Sequence, residues 1–225
     1  MYSLLVADDH PLFRDAMQTV ITGGLKGCQL MEAESLAEAI TLVEQHTELD
    51  LLLLDLSLPD AEGLEGLTRL REKFPWLPVA IVSAHQERQL VLDAITLGAV
   101  GYIPKSTPRA ALLAALLQIL EGQLYLPPDI MRRPAPRATS LPSSSDDSAS
   151  SERLARLTDK QLAVLGCMAK GMSNKLIARE LSIAETTVKT HVSAILRKLK
   201  ATSRVHAIVI AGEEELIVYQ AKRTR

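Results

Sequence analysis

The sequence predicts an α/β chain: a doubly wound (βα)5 parallel sheet followed by a small all-α unit. Three observations predict it. Short aliphatic runs such as SLLVA, LLLL and VAIV alternate with segments of helical spacing over about the first 120 residues. From Leu157 the spacing is helical throughout. The net charge of −2 also hides a split, with 8 Lys+Arg against 18 Asp+Glu in residues 1–130 and 14 against 6 in residues 153–225. An acidic front and a basic back suit two domains with different partners, the basic one a candidate for nucleic acid.

In chain order, residues 3–7 read as a strand, and Pro11 opens a helix that ends near Gly23-Gly24. Residues 28–33 form a weaker strand. Ser35 caps the next helix, with Glu38 completing a capping box. Leu51 to Leu54, four aliphatics bounded by charges, suit a strand buried on both faces. Helices follow over 62–73 and 86–97, strands over 79–82 and 100–103, and Thr107 caps a last helix running to about Glu121. The order fits a flavodoxin-like doubly wound sheet with right-handed crossovers. This places the first domain at 1–126. Residues 127–152, rich in Pro and Ser, read as a flexible linker. Residues 153–225 form the all-α domain. There Thr158 and Ser173 cap two helices, residues 184–200 make a longer one, and Ser203 opens a fourth through Leu216.

Composition excludes several classes. No apolar run approaches the roughly 20 residues of a membrane span. The acidic start MYSLLVADDH is not a secretory signal. Cys28 and Cys167 read as reduced thiols without a zinc motif, which fits a cytoplasmic protein.

The strand ends carry the chemistry. Asp8 and Asp9 end the first strand, Asp55 the third and Ser83 the fourth, and Lys105 follows the fifth. In a parallel sheet all these ends share one edge, where open α/β folds place their ligand sites. Each has a bland alternative: a turn at Asp55, a helix cap at Asp8 and Asp9, a solvated Lys105. Grouped carboxylates, however, repel unless a cation joins them, and oxygen-only ligands favour Mg2+. The set suits transfer of a phosphoryl group onto Asp55, with Lys105 and the Ser83 hydroxyl holding its oxygens. His10 and His85 flank the site and read as loop residues.

These motifs, the acidic pair in ADDHPLFRD, the aspartate of LLLLDLSLPD, the hydroxyl of VSA and the lysine of GYIPK, resemble the receiver domain of two-component response regulators over residues 1 to about 122. The resemblance implies Asp55 as phospho-acceptor and Asp9 as a direct Mg2+ ligand. It implies that Asp8 helps through water and Ser57 through its backbone carbonyl. Tyr102 matches an aromatic that turns inward when Ser83 engages the phosphoryl group; a core tyrosine is the competing reading.

In the tail, Val188, Val192, Ile195, Leu196 and Leu199 form one apolar stripe. Thr186, Lys189, Thr190, Ser193 and Arg197 recur on the other side, a face suited to the major groove. Residues 157–211 resemble the LuxR-type helix-turn-helix of the NarL/FixJ regulators. That resemblance implies base contacts from Lys189, Thr190 and Ser193. It implies phosphate contacts, or places beside them, for Asn174, Lys175, Thr186, His191, Lys200 and Arg204. Lys160-Gln161 departs from the family's usual Arg-Glu and puts an ion pair there in doubt. Val205, Ile208, Val209 and Leu216 are more apolar surface than the core needs. They suit a homodimer on DNA or, alternatively, packing between the domains.

The resulting expectation is a transcription regulator whose DNA binding is controlled by phosphorylation of Asp55. Its partners would be a sensor histidine kinase, a double-stranded DNA operator and RNA polymerase, with no membrane. A phosphotransferase or phosphatase is disfavoured, because Ser57 stands where such an enzyme needs a second acid. The remaining alternative is a phosphorylation-independent regulator whose receiver binds protein.

Overall fold

The computed structural model describes residues 2–127 and 154–211. Almost all of the expected linker, the segment after Ala211 and Leu216 lie outside the described residues. Strands β1 (Ser3–Ala7), β2 (Gln29–Ala33), β3 (Leu51–Leu54), β4 (Val79–Ser83) and β5 (Gly101–Pro104) form one parallel sheet in the order β2-β1-β3-β4-β5. Between and after them run α1 (Pro11–Gly24), α2 (Leu36–Gln45), α3 (Glu65–Lys73), α4 (Arg88–Thr96) and α5 (Arg109–Leu120).

Successive residues of a strand point to opposite faces, so the central leucines are divided between two cores. Leu52 and Leu54 join Leu5, Ile81 and Tyr102 beneath α2, α3 and α4. Leu51 and Leu53 join Leu4, Val6 and Ile103 beneath α1 and α5. All four β3 leucines are buried, each contributing roughly 1.5–3 kcal/mol. This double burial is why β3 reads as an uninterrupted aliphatic run and holds Asp55 at the middle of the sheet edge.

Helices α3, α4 and α5 start later than expected, α4 at Arg88, and α2 differs in its capping. Helix α3 begins at Glu65, because Gly63 takes a left-handed φ of 55° and ends the preceding loop. Thr107 does not cap α5; it donates its N–H to the Pro104 carbonyl, and Pro108 occupies the cap position. At α2 the Ser35 hydroxyl accepts from the Glu38 N–H at 3.2 Å, as expected. The Glu38 carboxylate, however, reaches back to the Glu34 N–H at 2.8 Å rather than to Ser35. The α2 N-terminus gains instead from Asp60, whose two oxygens accept from Leu36 and Ala37 N–H.

The second unit contains α6 (Asp159–Ala169), α7 (Asn174–Glu180), α8 (Glu185–Leu199) and α9 (Arg204–Ala211), numbered among the described residues. Thr158 and Gln161 complete a capping box, and the Ser173 hydroxyl caps α7. Gln161 also accepts from Lys198 Nζ at 2.8 Å. A charge-assisted hydrogen bond to a neutral amide therefore stands where an ion pair was in doubt. Helix α8 closes on Lys200 in the left-handed conformation. The apolar stripe of α8 packs with Leu162, Leu165, Met168 and Ile177 into a third core, while Val205 and Val209 of α9 are exposed.

Candidate functional site

The C-terminal edge of the sheet gathers Asp8, Asp9, His10, Asp55, Ser83 and Lys105. Asp8 and Asp55 are buried and Asp9 is exposed. Lys105 Nζ lies 2.8 Å from Asp8 Oδ2 and 2.9 Å from Asp55 Oδ2, and 4.8 Å from the centre of the Phe13 ring. Burial alone would lower its pKa, but the hydrogen bonds and charges of Asp8 and Asp55 outweigh that and raise it above the usual lysine value. Asp55 Oδ1 is buried without a hydrogen-bond partner. Such an orphan is costly unless a ligand completes it. Carboxylate oxygens of Asp8, Asp9 and Asp55, with a His10 ring nitrogen beside them, lie within 4.8 Å of one another, and the carboxylates are a donor set that fits a hard divalent cation.

Arg14 braces this edge from α1. It donates to the Asp8 carbonyl at 2.7 Å and pairs with Glu32 and Glu34 from β2 and its following turn. Ser83 is fully buried, and its hydroxyl accepts from the His85 N–H at 3.2 Å. Tyr102 is also fully buried and donates to the His85 carbonyl at 2.9 Å. Burial raises the Tyr102 pKa, with the nearby Ser83 hydroxyl opposing. The ring thus points inward, and the Ser83 side chain and Tyr102 both hold the backbone of His85. Ser57 is exposed, on a cleft of about 540 Å3 shared with His10, Phe13, Ala84 and Lys105.

Helix α8 carries the second set of residues, and in this structure part of its polar face packs against the first unit. Lys189 is only 5% exposed. Its ammonium donates to the carbonyls of Thr47 at 2.6 Å and Leu49 at 3.1 Å, both in the turn before β3. It also sits 3.3 Å from Glu185 and 4.9 Å from the centre of the Trp76 ring. Burial raises the Glu185 pKa, and the Lys189 charge opposes the rise. Asn174 and Lys175 face the same neighbour: Asn174 Nδ2 donates weakly to the Trp76 carbonyl at 3.5 Å, and Lys175 lies 3.6 Å from Asp50. The reason is electrostatic as well as steric, since the acidic first unit offers carbonyls and carboxylates to the basic helix.

Thr186, Thr190 and Ser193 line a cavity of about 730 Å3 that Thr47, Glu72 and Trp76 close from the other side. His191 is half-buried and Lys200 exposed. Arg204 turns inward to the Met172 carbonyl and Asn174, and burial lowers its pKa to about 10. Two glycines permit the close approach. A Cβ on Gly122 (φ 94°) would stand 2.3 Å from the Gly171 carbonyl oxygen, and one on Gly98 (φ 102°) 2.9 Å from that of Thr202.

Residues 4–117 match the response regulator receiver domain, and residues 155–211 match the bacterial regulatory proteins of the luxR family. The chain belongs to the LuxR family of response regulators. This response regulator is 53% identical over 220 residues to the glycerol metabolism activator of Pseudomonas putida, covering 97% of this chain and 99% of that one. It is 35% identical over 215 residues to the nitrate/nitrite response regulator protein NarL of Escherichia coli strain K12, covering 95% and 96%. The crystal structure of a LuxR family DNA-binding response regulator from Silicibacter pomeroyi aligns with a TM-score of 0.52 at 33% identity. That alignment covers 57% of this chain and 99% of that one. The family is one of regulatory DNA-binding proteins. No described helix is long and apolar enough to cross a membrane.

The response regulator's acidic edge brings together Asp8, Asp9, Asp55, Ser83 and Lys105 as the sequence predicts. It also brings in His10, whose Nδ1 lies 2.7 Å from Asp9 Oδ1, 3.1 Å from Asp8 Oδ1 and 4.0 Å from Asp55 Oδ2. Sequence reading set His10 aside as a loop residue. The available signal was Pro11, which confines the residue before it to extended backbone. His10 accordingly adopts φ −93° and ψ 106° and occupies the N-cap position of α1 without a side-chain cap.

Proposed function

We propose that this response regulator takes a phosphoryl group on Asp55 from a sensor histidine kinase and thereby controls its binding to a DNA operator. The observation that carries this reading is Asp55 itself, buried and paired with Lys105, with one carboxylate oxygen unpartnered at the rim of the sheet. An Asp55 oxygen attacks phosphorus, the phosphorus–nitrogen bond of the phosphohistidine breaks, and the leaving imidazole keeps the electron pair and takes a proton. Lys105 exchanges its carboxylate contacts for phosphoryl oxygens, and Ser83 exchanges the His85 N–H for another. Asp8, Asp9, Asp55 and the Ser57 carbonyl would hold Mg2+, which supplies charge neutralisation at the transferring group. Tyr102, through His85, reports the state of Ser83.

Output follows from the placement of α8. With Lys189 held by Thr47 and Leu49, the residues proposed to read bases cannot enter a major groove. Phosphorylation favours the separated form, in which Lys189, Thr190 and Ser193 reach bases, and Asn174, Lys175, Thr186, His191, Lys200 and Arg204 lie at or near phosphates. Val205 and Val209 then pair two copies on DNA. The domain limits that serve this reading are 1–126, 127–152 and 153–225. The 53% identity to a protein named glycerol metabolism activator supports an activator; a cytoplasmic location and contact with RNA polymerase belong to the same proposal.

The test is incubation with acetyl phosphate and Mg2+, comparing the native chain with Asp55→Asn. Labelling of the native chain alone, with a rise in operator affinity, is expected. Equal labelling of both would remove Asp55 from its role, and unlabelled chain with full operator affinity would favour phosphorylation-independent control.

A further inference from the structure

The cavity between the two units takes no part in phosphoryl transfer. It measures about 730 Å3. Small-molecule sites run to roughly 300–1,000 Å3 and concentrate where domains meet. Its lining is of two kinds. Pro75 and Trp76 from the receiver, with Leu196 and Ala201 from the DNA-binding unit, supply an apolar wall. The Lys189 ammonium, held by the Thr47 and Leu49 carbonyls, lies over the Trp76 ring and ties the two sides together. Arg197 and Lys200 supply charge. Both are exposed, and their side chains make no hydrogen bond or ion pair among the described residues. Glu72 is the one carboxylate among the described lining residues. Two cations without partners against one acid, beside an apolar wall, are complementary to an anion with an apolar body.

We propose that this cavity is a binding site for a small amphipathic organic anion, a carboxylate or monophosphate ester with an apolar body. The body displaces water from Pro75, Trp76, Leu196 and Ala201. The head group takes the Arg197 guanidinium through two parallel hydrogen bonds, with Lys200 as the second charge. Neither unit makes the site alone, so the anion binds the closed arrangement and shifts the population toward it. Its effect on DNA rests on the proposed reading of α8. On that reading the anion and the operator exclude each other, because both use the face that carries Lys189, Thr190 and Ser193. A rise in such an anion then lowers operator occupancy without any change in the supply of phosphoryl groups.

Trp76 is the chain's one tryptophan, so its emission reports on the cavity directly. The full chain is titrated with octanoate, octyl phosphate, octanol and octylamine, four probes with one body and different heads. A saturable change in Trp76 emission is expected, with at least one anion about tenfold or more tighter than octanol and with octylamine weakest. The tighter anion identifies the head group. Arg197→Gln should weaken that anion about tenfold and leave octanol within about twofold. Glu72→Gln should strengthen the anion by up to about threefold. Lys26→Gln, at an exposed lysine outside the cavity, should match the native chain. Octanol binding as tightly as both anions, or native anion affinity in Arg197→Gln, would overturn the proposal. Operator affinity with and without the tighter anion separates the two ideas. A fall in the native chain that is absent from Arg197→Gln supports both. Anion binding through Arg197 with unchanged operator affinity leaves the site standing and removes the reading of α8.

Discussion

The molecule sets two lysines against partners, Lys105 half-buried at the sheet edge and Lys189 buried on α8, and it does so in different ways. Lys105 sits against two carboxylates of its own domain, Asp8 and Asp55. Lys189 sits against two backbone carbonyls and an aromatic ring of the other domain, with one carboxylate from its own helix. The difference matters because carboxylates raise the affinity of an ammonium for its proton and fix the charge in place, whereas neutral carbonyls hold it without neutralising it. Lys105 can leave its partners only when another anion arrives at the same edge. Lys189 keeps its charge uncompensated by the receiver and remains available to any surface richer in negative charge, such as DNA. On the proposed reading, Lys105 changes partners within its own site, whereas Lys189 leaves the receiver altogether.

The comparison can be broken first at Lys105. Lys105→Met removes the cation that is to hold phosphoryl oxygens, and we expect a loss of about a hundredfold in the rate of Asp55 labelling, in line with removal of a single charge-stabilising donor. Time courses with radiolabelled acetyl phosphate measure it; an unchanged rate would place the phosphoryl group elsewhere. Lys189→Met comes next. It forfeits two charge-assisted hydrogen bonds across the domain junction, each worth about 1.5–3 kcal/mol net of competition from water. Opening by at least about tenfold is expected, seen as an increase in the radius of gyration by X-ray scattering without phosphorylation. Operator affinity should nevertheless fall, because the same side chain is to read a base.

Trp76→Ala sharpens the contrast by loosening the junction from the receiver side only. The expected opening is smaller, corresponding to about 0.5–2 kcal/mol, and it should raise rather than lower operator affinity in a mobility-shift assay. The smallest effect is on pH. The folded chain holds the Lys105 proton more tightly than an unfolded chain does. This contribution is complete below the ordinary lysine value of 10.5 and is lost as pH rises through the elevated one. Denaturation midpoints of the native chain should therefore decline more steeply above pH 10.5 than those of Lys105→Met.

The receiver fold was legible because its strands are punctuated locally and all but β2 are largely buried. Leu51 to Leu54 and the alternation around it needed no tertiary information, and Asp8, Asp9, Asp55, Ser83 and Lys105 follow from strand ends once the sheet is parallel. Two kinds of feature escaped. Local competition among neighbouring turn residues moved the start of α5 past Thr107 and sent the Glu38 carboxylate to Glu34, choices decided by angles that residue types do not encode. Long-range placement hid the rest. The pattern of α8 shows which side is polar, but nothing in that period says that Lys189 meets Thr47, 142 residues away in sequence. The approach of the loop residue His10 to Asp8, Asp9 and Asp55 was hidden for the same reason, since two different strands deliver those acids.

The turn that holds Lys189 and the acid that is to take the phosphoryl group stand at opposite ends of one strand. Leu49 precedes β3 and Asp55 ends it, a span of about 20 Å at roughly 3.3 Å per residue. Coupling between two such ends is thermodynamically symmetrical. If occupancy of Asp55 loosens the hold on Lys189, then a promoter that draws Lys189 away must strengthen the binding of a phosphoryl mimic at Asp55 by the same factor. The genome would then act as an effector of the receiver, biasing the copies already seated on their operators toward the charged state.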